Sequence, residues 1–109
     1  MKNVSLIWKK EQPQQLVDTL SSISSSNDIR NFLRDVLTEK EILEISARLE
    51  AARMLECGNK YTDIVSQTKL SSRTVARVSV WLKNGCGGYR VALDAVNQHQ
   101  THTLPARAE

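Results

Sequence analysis

Two arginines, Arg73 and Arg77, lie one helical turn apart in the second half of this 109-residue sequence. In a helix this spacing places both guanidinium groups on one face. The nearby apolar residues Val75, Val78 and Leu82 fall together on the opposite face, which we expect to pack inward. A guanidinium group recognises phosphate or a guanine edge through paired hydrogen bonds. The pattern therefore predicts a helix that turns positive charge toward a polyanion.

The charge distribution along the chain favours the same interpretation. Between residues 58 and 83 there are five basic residues and one acidic residue, which gives this segment a charge of +4. The whole chain carries +3, so the remaining residues sum to −1. Positive charge concentrated in one segment is typical of an element that approaches nucleic-acid phosphates. The alternative is that the two arginines belong to an ordinary solvated helix face.

The DNA-binding residues divide by the groups they are expected to contact. Arg73 lies near the start of its helix and Ala76 is small enough for close approach, so we expect these two, with Ser72, to meet base edges. Free amides at the start of the helix can also hold a phosphate. The residues expected to hold the DNA backbone are Lys60, Lys69, Ser71, Arg77 and Lys83.

The elements that must position these side chains are predicted to be helices. Apolar residues recur at spacings of three and four, and no stretch alternates as a strand would. Helices are expected at about residues 9–24, 28–36, 61–68, 72–83 and 89–97, with one of 18–20 residues between Thr38 and Gly58. The fold class is therefore all-α with about six helices, and the fourth and fifth match a helix-turn-helix outline.

Local signals define the ends of several helices. Thr38 and Glu41 form a capping box at the start of the long helix, and Gly58 is expected to end it in the left-handed conformation. Asn27 is expected to cap the second helix, and Ser71 or Ser72 to cap the fifth.

Several classes of protein are excluded by the sequence. No run approaches the roughly 18 apolar residues that a membrane span needs. Cys57 and Cys86 have no metal-binding or redox spacing, which indicates reduced thiols in a cytoplasmic protein. His99 and His102 have no carboxylate or thiol nearby, so we expect no metal site. No nucleophile and base are suitably arranged, so we expect no enzyme activity.

Trp81 is expected to pack in the core or a dimer interface.

The stretch from Leu37 to about Ala95 resembles the Trp repressor superfamily, and most closely its YerC/YecD-type Trp-repressor-related proteins. The matching positions are Leu37, Thr38, Glu41, Ala47-Arg48-Leu49-Glu50, Ala52-Arg53-Met54-Leu55, Gly58, Tyr61, Ile64, Ser72, Thr74-Val75, Arg77-Val78, Tyr89 and Ala92-Leu93. The resemblance implies a Trp-repressor-like, intertwined homodimer. It suggests that residues 1–36 serve dimerisation and that 37–97 form the DNA-binding core. Residues 98–109 show no periodicity, and we expect them to be a disordered tail.

By this resemblance the chain is a cytoplasmic, sequence-specific transcriptional regulator, and we expect a repressor. Its helix-turn-helix would enter the major groove of double-stranded DNA. A two-fold dimer favours a palindromic site with half-sites about 34 Å apart. Two alternatives remain. The helix-turn-helix surface could dock a protein partner as an interaction adaptor, or the chain could be a repressor with an amino-acid corepressor.

The resemblance also suggests a possible effector pocket. In tryptophan-responsive repressors the ligand lies between two arginines that correspond here to Arg48 and Arg77, and Thr38 and Thr74 match two further positions. However, two bulky side chains, Val78 and Trp81, stand where smaller residues leave room for the ligand. We therefore expect no tryptophan corepressor and no other cofactor.

The sequence leaves two alternatives open at Arg77 and two at Lys69. Without a ligand, Arg77 is expected to face DNA or to pair with a carboxylate such as Glu50. Lys69 stands in a turn that commonly carries glycine in the related proteins. It must therefore either adopt the left-handed conformation or shift the turn.

Overall fold

The computed structural model describes the backbone of residues 6–103 and the side chains of residues 6–97. In this part of the chain a short 3-10 helix, Leu6–Lys9, precedes six α-helices, and there are no strands. The α-helices are α1 (Glu11–Ser22), α2 (Ser26–Val36), α3 (Glu39–Glu56), α4 (Tyr61–Thr68), α5 (Ser72–Asn84) and α6 (Gly88–Thr103). The predicted all-α class is confirmed.

The long helix α3 begins and ends where the local signals predict. The amide of Glu41 donates to the Thr38 hydroxyl at 3.1 Å, and the Thr38 amide donates to the Glu41 carboxylate at 2.8 Å. At the other end Gly58 has a φ of 85°, which glycine adopts without strain. The amide of Asn59 then reaches back to the carbonyl of Met54 at 3.0 Å, which closes the helix.

Helix α1 is two residues shorter at each end than expected, and α2 and α6 also differ from the prediction. Ser25, not Asn27, caps α2: its hydroxyl accepts from the amide of Asp28 at 3.2 Å, and Asn27 lies inside the helix. Helix α6 continues to Thr103, six residues beyond the predicted end at Asn97. Residues 98–103 contain no glycine or proline to stop a helix, so this part of the expected disordered tail is helical. Residues 104–109 lie outside the described residues.

The chain divides into two compact units, Met1–Leu43 and Glu44–Glu109. The second unit contains the hydrophobic core. Side chains from four helices meet in it, with α4 packed on α5 and α5 on α6. The buried residues are Ala51, Ala52, Met54, Ile64, Val75, Val78 and Leu93. The assignment of residues 1–36 to dimerisation and 37–97 to DNA binding stays a prediction.

The first unit has no buried residue between Leu6 and Leu43. Its apolar stripe on α1 is largely open: Leu16 exposes 48% of its surface and Leu20 exposes 40%. Phe32 and Leu33 of α2 are half-buried. Hydrophobic burial is the main force that stabilises folded chains. The first unit therefore exposes much apolar surface, and covering this surface would be favourable.

Candidate nucleic-acid interface

The turn between α4 and α5 is held by its own hydrogen bonds. The Thr68 hydroxyl donates to the carbonyl of Ile64 at 2.7 Å and accepts from the amide of Leu70 at 3.3 Å. Between them Lys69 adopts the left-handed conformation, with φ 65° and ψ 12°. Its amide donates to the carbonyl of Val65 at 2.9 Å. Of the two predicted outcomes, the first is observed: Lys69 adopts the left-handed conformation.

Ser71 begins α5 as its capping residue. Its hydroxyl oxygen accepts from the amide of Thr74 at 3.1 Å, and the hydroxyl also lies 3.1 Å from the Thr74 Oγ1, to which it donates. Ser72 is therefore the first residue of the helix, and its side chain is exposed. The choice between the two serines that the sequence left open falls on Ser71.

Helix α5 is fixed to the second unit by one face. Val75 and Val78 have no exposed surface, and Leu82 is half-buried against the same core. Burying such side chains stabilises the helix by about 1.5–3 kcal/mol each. The opposite face is therefore turned to solvent. On it lie Arg73, Ala76, Arg77 and Val80, all of which are exposed.

Every residue predicted to contact DNA has an exposed side chain. These residues are Lys60, Lys69, Ser71, Ser72, Arg73, Ala76, Arg77 and Lys83. Within the described part of the chain, the side chain of neither Arg73 nor Arg77 forms a hydrogen bond or ion pair with another residue. An unpaired guanidinium group keeps all of its donors available for an incoming anion. The structure places these residues at the surface, and their contacts with DNA stay predictions.

One of the two expectations for Arg77 was an ion pair with a carboxylate such as Glu50. Glu50 does not pair with Arg77. It binds Arg53 instead, with Oε2 2.6 Å from one terminal nitrogen and Oε1 2.9 Å from Nε. These hydrogen bonds lower the pKa of the Glu50 carboxyl below its ordinary value. They raise the pKa of the Arg53 guanidinium. Glu50 pairs with Arg53 because Arg53 lies on the same helix three residues further on, within direct reach.

The four residues of the possible effector pocket have different surroundings. Thr38 belongs to the first unit, where it caps α3. Thr74 is half-buried beside Ser71. Arg48 lies at an open cavity of about 500 Å³, and neither Thr74 nor Arg77 is among the residues that line it. The cavity is lined by Ile45, Arg48, Leu49, Trp81, Gly85, Cys86, Gly88, Tyr89 and Ala92.

The two bulky residues of the pocket argument have separate positions. Val78 is completely buried in the core, whereas Trp81 is 45% exposed and forms part of the cavity wall. Trp81 is therefore not a core residue of this chain, and its packing against a second copy stays a prediction. Partial burial beside the cavity raises the pKa of the Tyr89 hydroxyl, and the charge of Arg48 opposes that rise.

Sequence patterns missed two features of the second unit. The first is the apolar cavity, because helical periodicity leaves Trp81 at the border between the inward and outward faces of α5. The second is the ion pair between Glu56 of α3 and Arg90 of α6. These residues are 34 positions apart, so no local spacing signals their contact. Both features depend on how the helices pack.

Other kinds of site find no support in the described residues. No group of three or more His, Cys, Asp or Glu side chains among residues 6–97 is placed to hold a metal ion. The side chains of His99 and His102 lie outside this part. Cys57 and Cys86 are both exposed free thiols. None of the described helices combines the length and the apolar character needed to cross a membrane.

Comparison with known proteins places this arrangement in context. A family model described as Trp repressor protein matches residues 11–97. The uncharacterized protein YerC of Bacillus subtilis (strain 168) is 36% identical over 89 residues, which cover 82% of this chain and 86% of YerC.

Two crystal structures share the fold. One is of a TrpR-like protein from Eubacterium eligens ATCC 27750, with a TM-score of 0.77, 32% identity, and coverage of 84% of this chain and 94% of that one. The other is of a candidate Trp repressor from Staphylococcus aureus, with a TM-score of 0.77, 26% identity, and coverage of 87% and 96%.

Proposed function

This chain belongs to the Trp repressor family, and on that premise we propose that it binds double-stranded DNA sequence-specifically and represses transcription. The family consists of helix-turn-helix regulators rather than enzymes. Beyond family membership, we propose which residues contact DNA, which assembly binds it and what form the binding site takes. Its place of action is the cytoplasm.

One observation carries the proposal. Arg73 and Arg77 project from the solvent face of α5 without a partner in the described part of the chain, while Val75 and Val78 anchor the opposite face. A rigid helix with unpaired guanidinium groups on its outer face can enter the major groove and bind phosphates and base edges. The charge of +4 between residues 58 and 83 supports the same partner.

In this proposal the exposed residues have two roles. Ser72, Arg73 and Ala76 lie in the first two turns of α5 and read base edges. The DNA backbone is held by Lys60, Lys69, Ser71, Arg77 and Lys83. Base contacts determine which sequence is bound, whereas phosphate contacts supply affinity for any sequence.

The proposed assembly is a homodimer that binds a palindromic site. Support comes from the first unit, where no described residue is buried and the apolar residues Leu16 and Leu20 are open. A second copy would cover this surface. Two reading helices related by a two-fold axis would then match half-sites about 34 Å apart.

We further propose that the protein acts without a tryptophan corepressor or any other cofactor. Val78 is completely buried in the core, and the indole of Trp81 forms part of the wall beside Arg48. Arg77 does not line that cavity, so the two arginines do not form opposite walls of one site there. Calorimetric titration with tryptophan should give no binding heat, and measurable heat would restore the amino-acid-responsive alternative.

The function is tested by selecting duplexes from random-sequence DNA with the full chain, then measuring affinity at 50 and 200 mM salt. If a dimer neutralises about 6–8 phosphates, the log–log slope should be about −5 to −7. Arg73→Ala should relax sequence preference by about 1–3 kcal/mol. Lys83→Ala should weaken all sequences alike. Lys40→Ala removes a charge outside the interface and should leave binding unchanged.

Two results would contradict the proposal. The first is that no duplex is enriched, and the second is that binding does not depend on salt. A protein-interaction adaptor is the competing function, and the exposed apolar side chain of Val80 on the outer face of α5 favours it. A partner protein captured at high salt after nuclease treatment, and lost in Val80→Asp, would support the adaptor.

A further inference from the structure

The outer face of α5 carries one alanine methyl group close to its two arginines. Ala76 follows Arg73 by three residues and precedes Arg77 by one, and all three side chains are exposed. At about 100° per residue, Ala76 lies about 60° around the helix from Arg73. The outer surface in the first two turns therefore combines charged donors with a small apolar group.

The major groove offers few apolar partners to such a methyl group. Base edges there present hydrogen-bond donors and acceptors, and thymine alone among the standard bases adds a C5-methyl group. A polar base edge against Ala76 would lose its water without gaining a hydrogen bond, which is unfavourable. A C5-methyl group loses no hydrogen bond there and gains apolar contact.

We propose that Ala76 reads the C5-methyl group of a pyrimidine, so that each half-site contains a thymine at the position facing Ala76. This inference rests on the proposed function and names the chemical group that the reading helix selects. By the same chemistry, 5-methylcytosine at that position replaces thymine in the contact with Ala76, although it presents a different hydrogen-bonding edge.

Neighbouring residues limit where this thymine lies. Side chains three residues apart on a helix have Cβ atoms about 5–6 Å apart. Successive base pairs are about 3.4 Å apart along DNA. If Arg73 binds the O6 and N7 of guanine, that guanine and the thymine should lie within about two base pairs of each other.

Val80 provides a matched control on the same face. It is exposed and apolar like Ala76, but it lies one turn further along α5. It is eight residues beyond Ser72, or about 12 Å along the helix. Because the N-terminal residues of a recognition helix meet the base edges, Val80 should not contribute to methyl recognition.

The experiment uses duplexes selected by the full-length protein, with the thymines replaced one at a time by deoxyuridine. Removing the contacted methyl should weaken binding about fourfold per half-site, the factor expected for one buried methyl group. Other thymines should change little. Ala76→Gly should bind the thymine and deoxyuridine duplexes equally, whereas Val80→Ala should retain the fourfold difference.

Glycine disfavours helices, so Ala76→Ser serves as a second variant, with circular dichroism to check that both fold. The serine hydroxyl places a polar group at the same position, and the preference for thymine over deoxyuridine should shrink. A selected site without thymine near its guanine would overturn the inference, as would a methyl preference that persists unchanged in both variants. If no duplex is selected at all, the proposed function fails first, and that result is distinct.

Discussion

Replacing Lys69 with glycine should stabilise the protein and weaken its binding to DNA. Lys69 is the one non-glycine residue with positive φ in the described part of the chain. A left-handed conformation costs a residue with a Cβ about 1–2 kcal/mol. Glycine removes that cost, but it loses about 0.5–1 kcal/mol more than alanine through backbone entropy on folding. We therefore expect Lys69→Gly to gain about 0.5–1 kcal/mol per chain.

This gain is measurable by urea denaturation at one fixed protein concentration, because the stability of the proposed dimer would depend on concentration. Lys69→Ala is the matched control: it removes the same charge but retains a Cβ in the strained conformation. It should therefore show little or no stabilisation. Equal stabilities for the two variants would refute the reasoning, because they would mean that Lys69 is not held in the left-handed conformation.

The DNA measurement separates charge from conformation. Both variants remove one positive charge per chain from the turn before α5. If Lys69 binds a phosphate, both should reduce the salt slope by about one for each chain in the complex. A variant that is more stable and yet binds more weakly would show that the lysine is retained for binding and not for folding.

Three further predictions concern other parts of the chain. Thr38→Ala breaks the capping box of α3 and should destabilise the protein by about 1 kcal/mol in thermal or urea unfolding. Because Arg53 lowers the pKa of Glu50, the contribution of this ion pair to the free energy of unfolding is fully present above the pKa of Glu50 in the unfolded chain. It disappears as pH falls through the pKa in the folded chain. The contribution amounts to a few tenths of a kcal/mol for this solvent-screened pair, so the unfolding free energy of Glu50→Gln should show a slightly smaller decrease at acid pH. Leu20→Lys should shift sedimentation toward the monomer, and an unchanged sedimentation coefficient would argue against a dimer through α1.

The ends of most helices could be predicted because their signals act over a few residues. Thr38, Glu41 and Gly58 determine the bounds of α3 through contacts at most five positions apart. The prediction failed at α2 for a related reason. Ser25 and Asn27 can both cap a helix, and the pattern of apolar residues does not decide between starting points two residues apart.

The candidate interface was predictable in composition but not in all of its surroundings. Periodicity placed Val75 and Val78 inward and Arg73 outward, and the structure agrees. It could not decide whether Arg77 is free or paired, because that depends on which cation reaches Glu50. Arg53, on the same helix as Glu50, takes that carboxylate and leaves Arg77 exposed.

By itself, the amino-acid sequence determined the helices, the caps of α3 and the face of α5 that carries positive charge. These properties follow from backbone hydrogen bonds and side-chain spacing within a few turns. Tertiary structure alone decided that Trp81 borders a cavity with Arg48 and Tyr89, and that Glu56 meets Arg90. Such contacts join residues about 30–40 positions apart, and their geometry exists only once the helices have packed around a shared core.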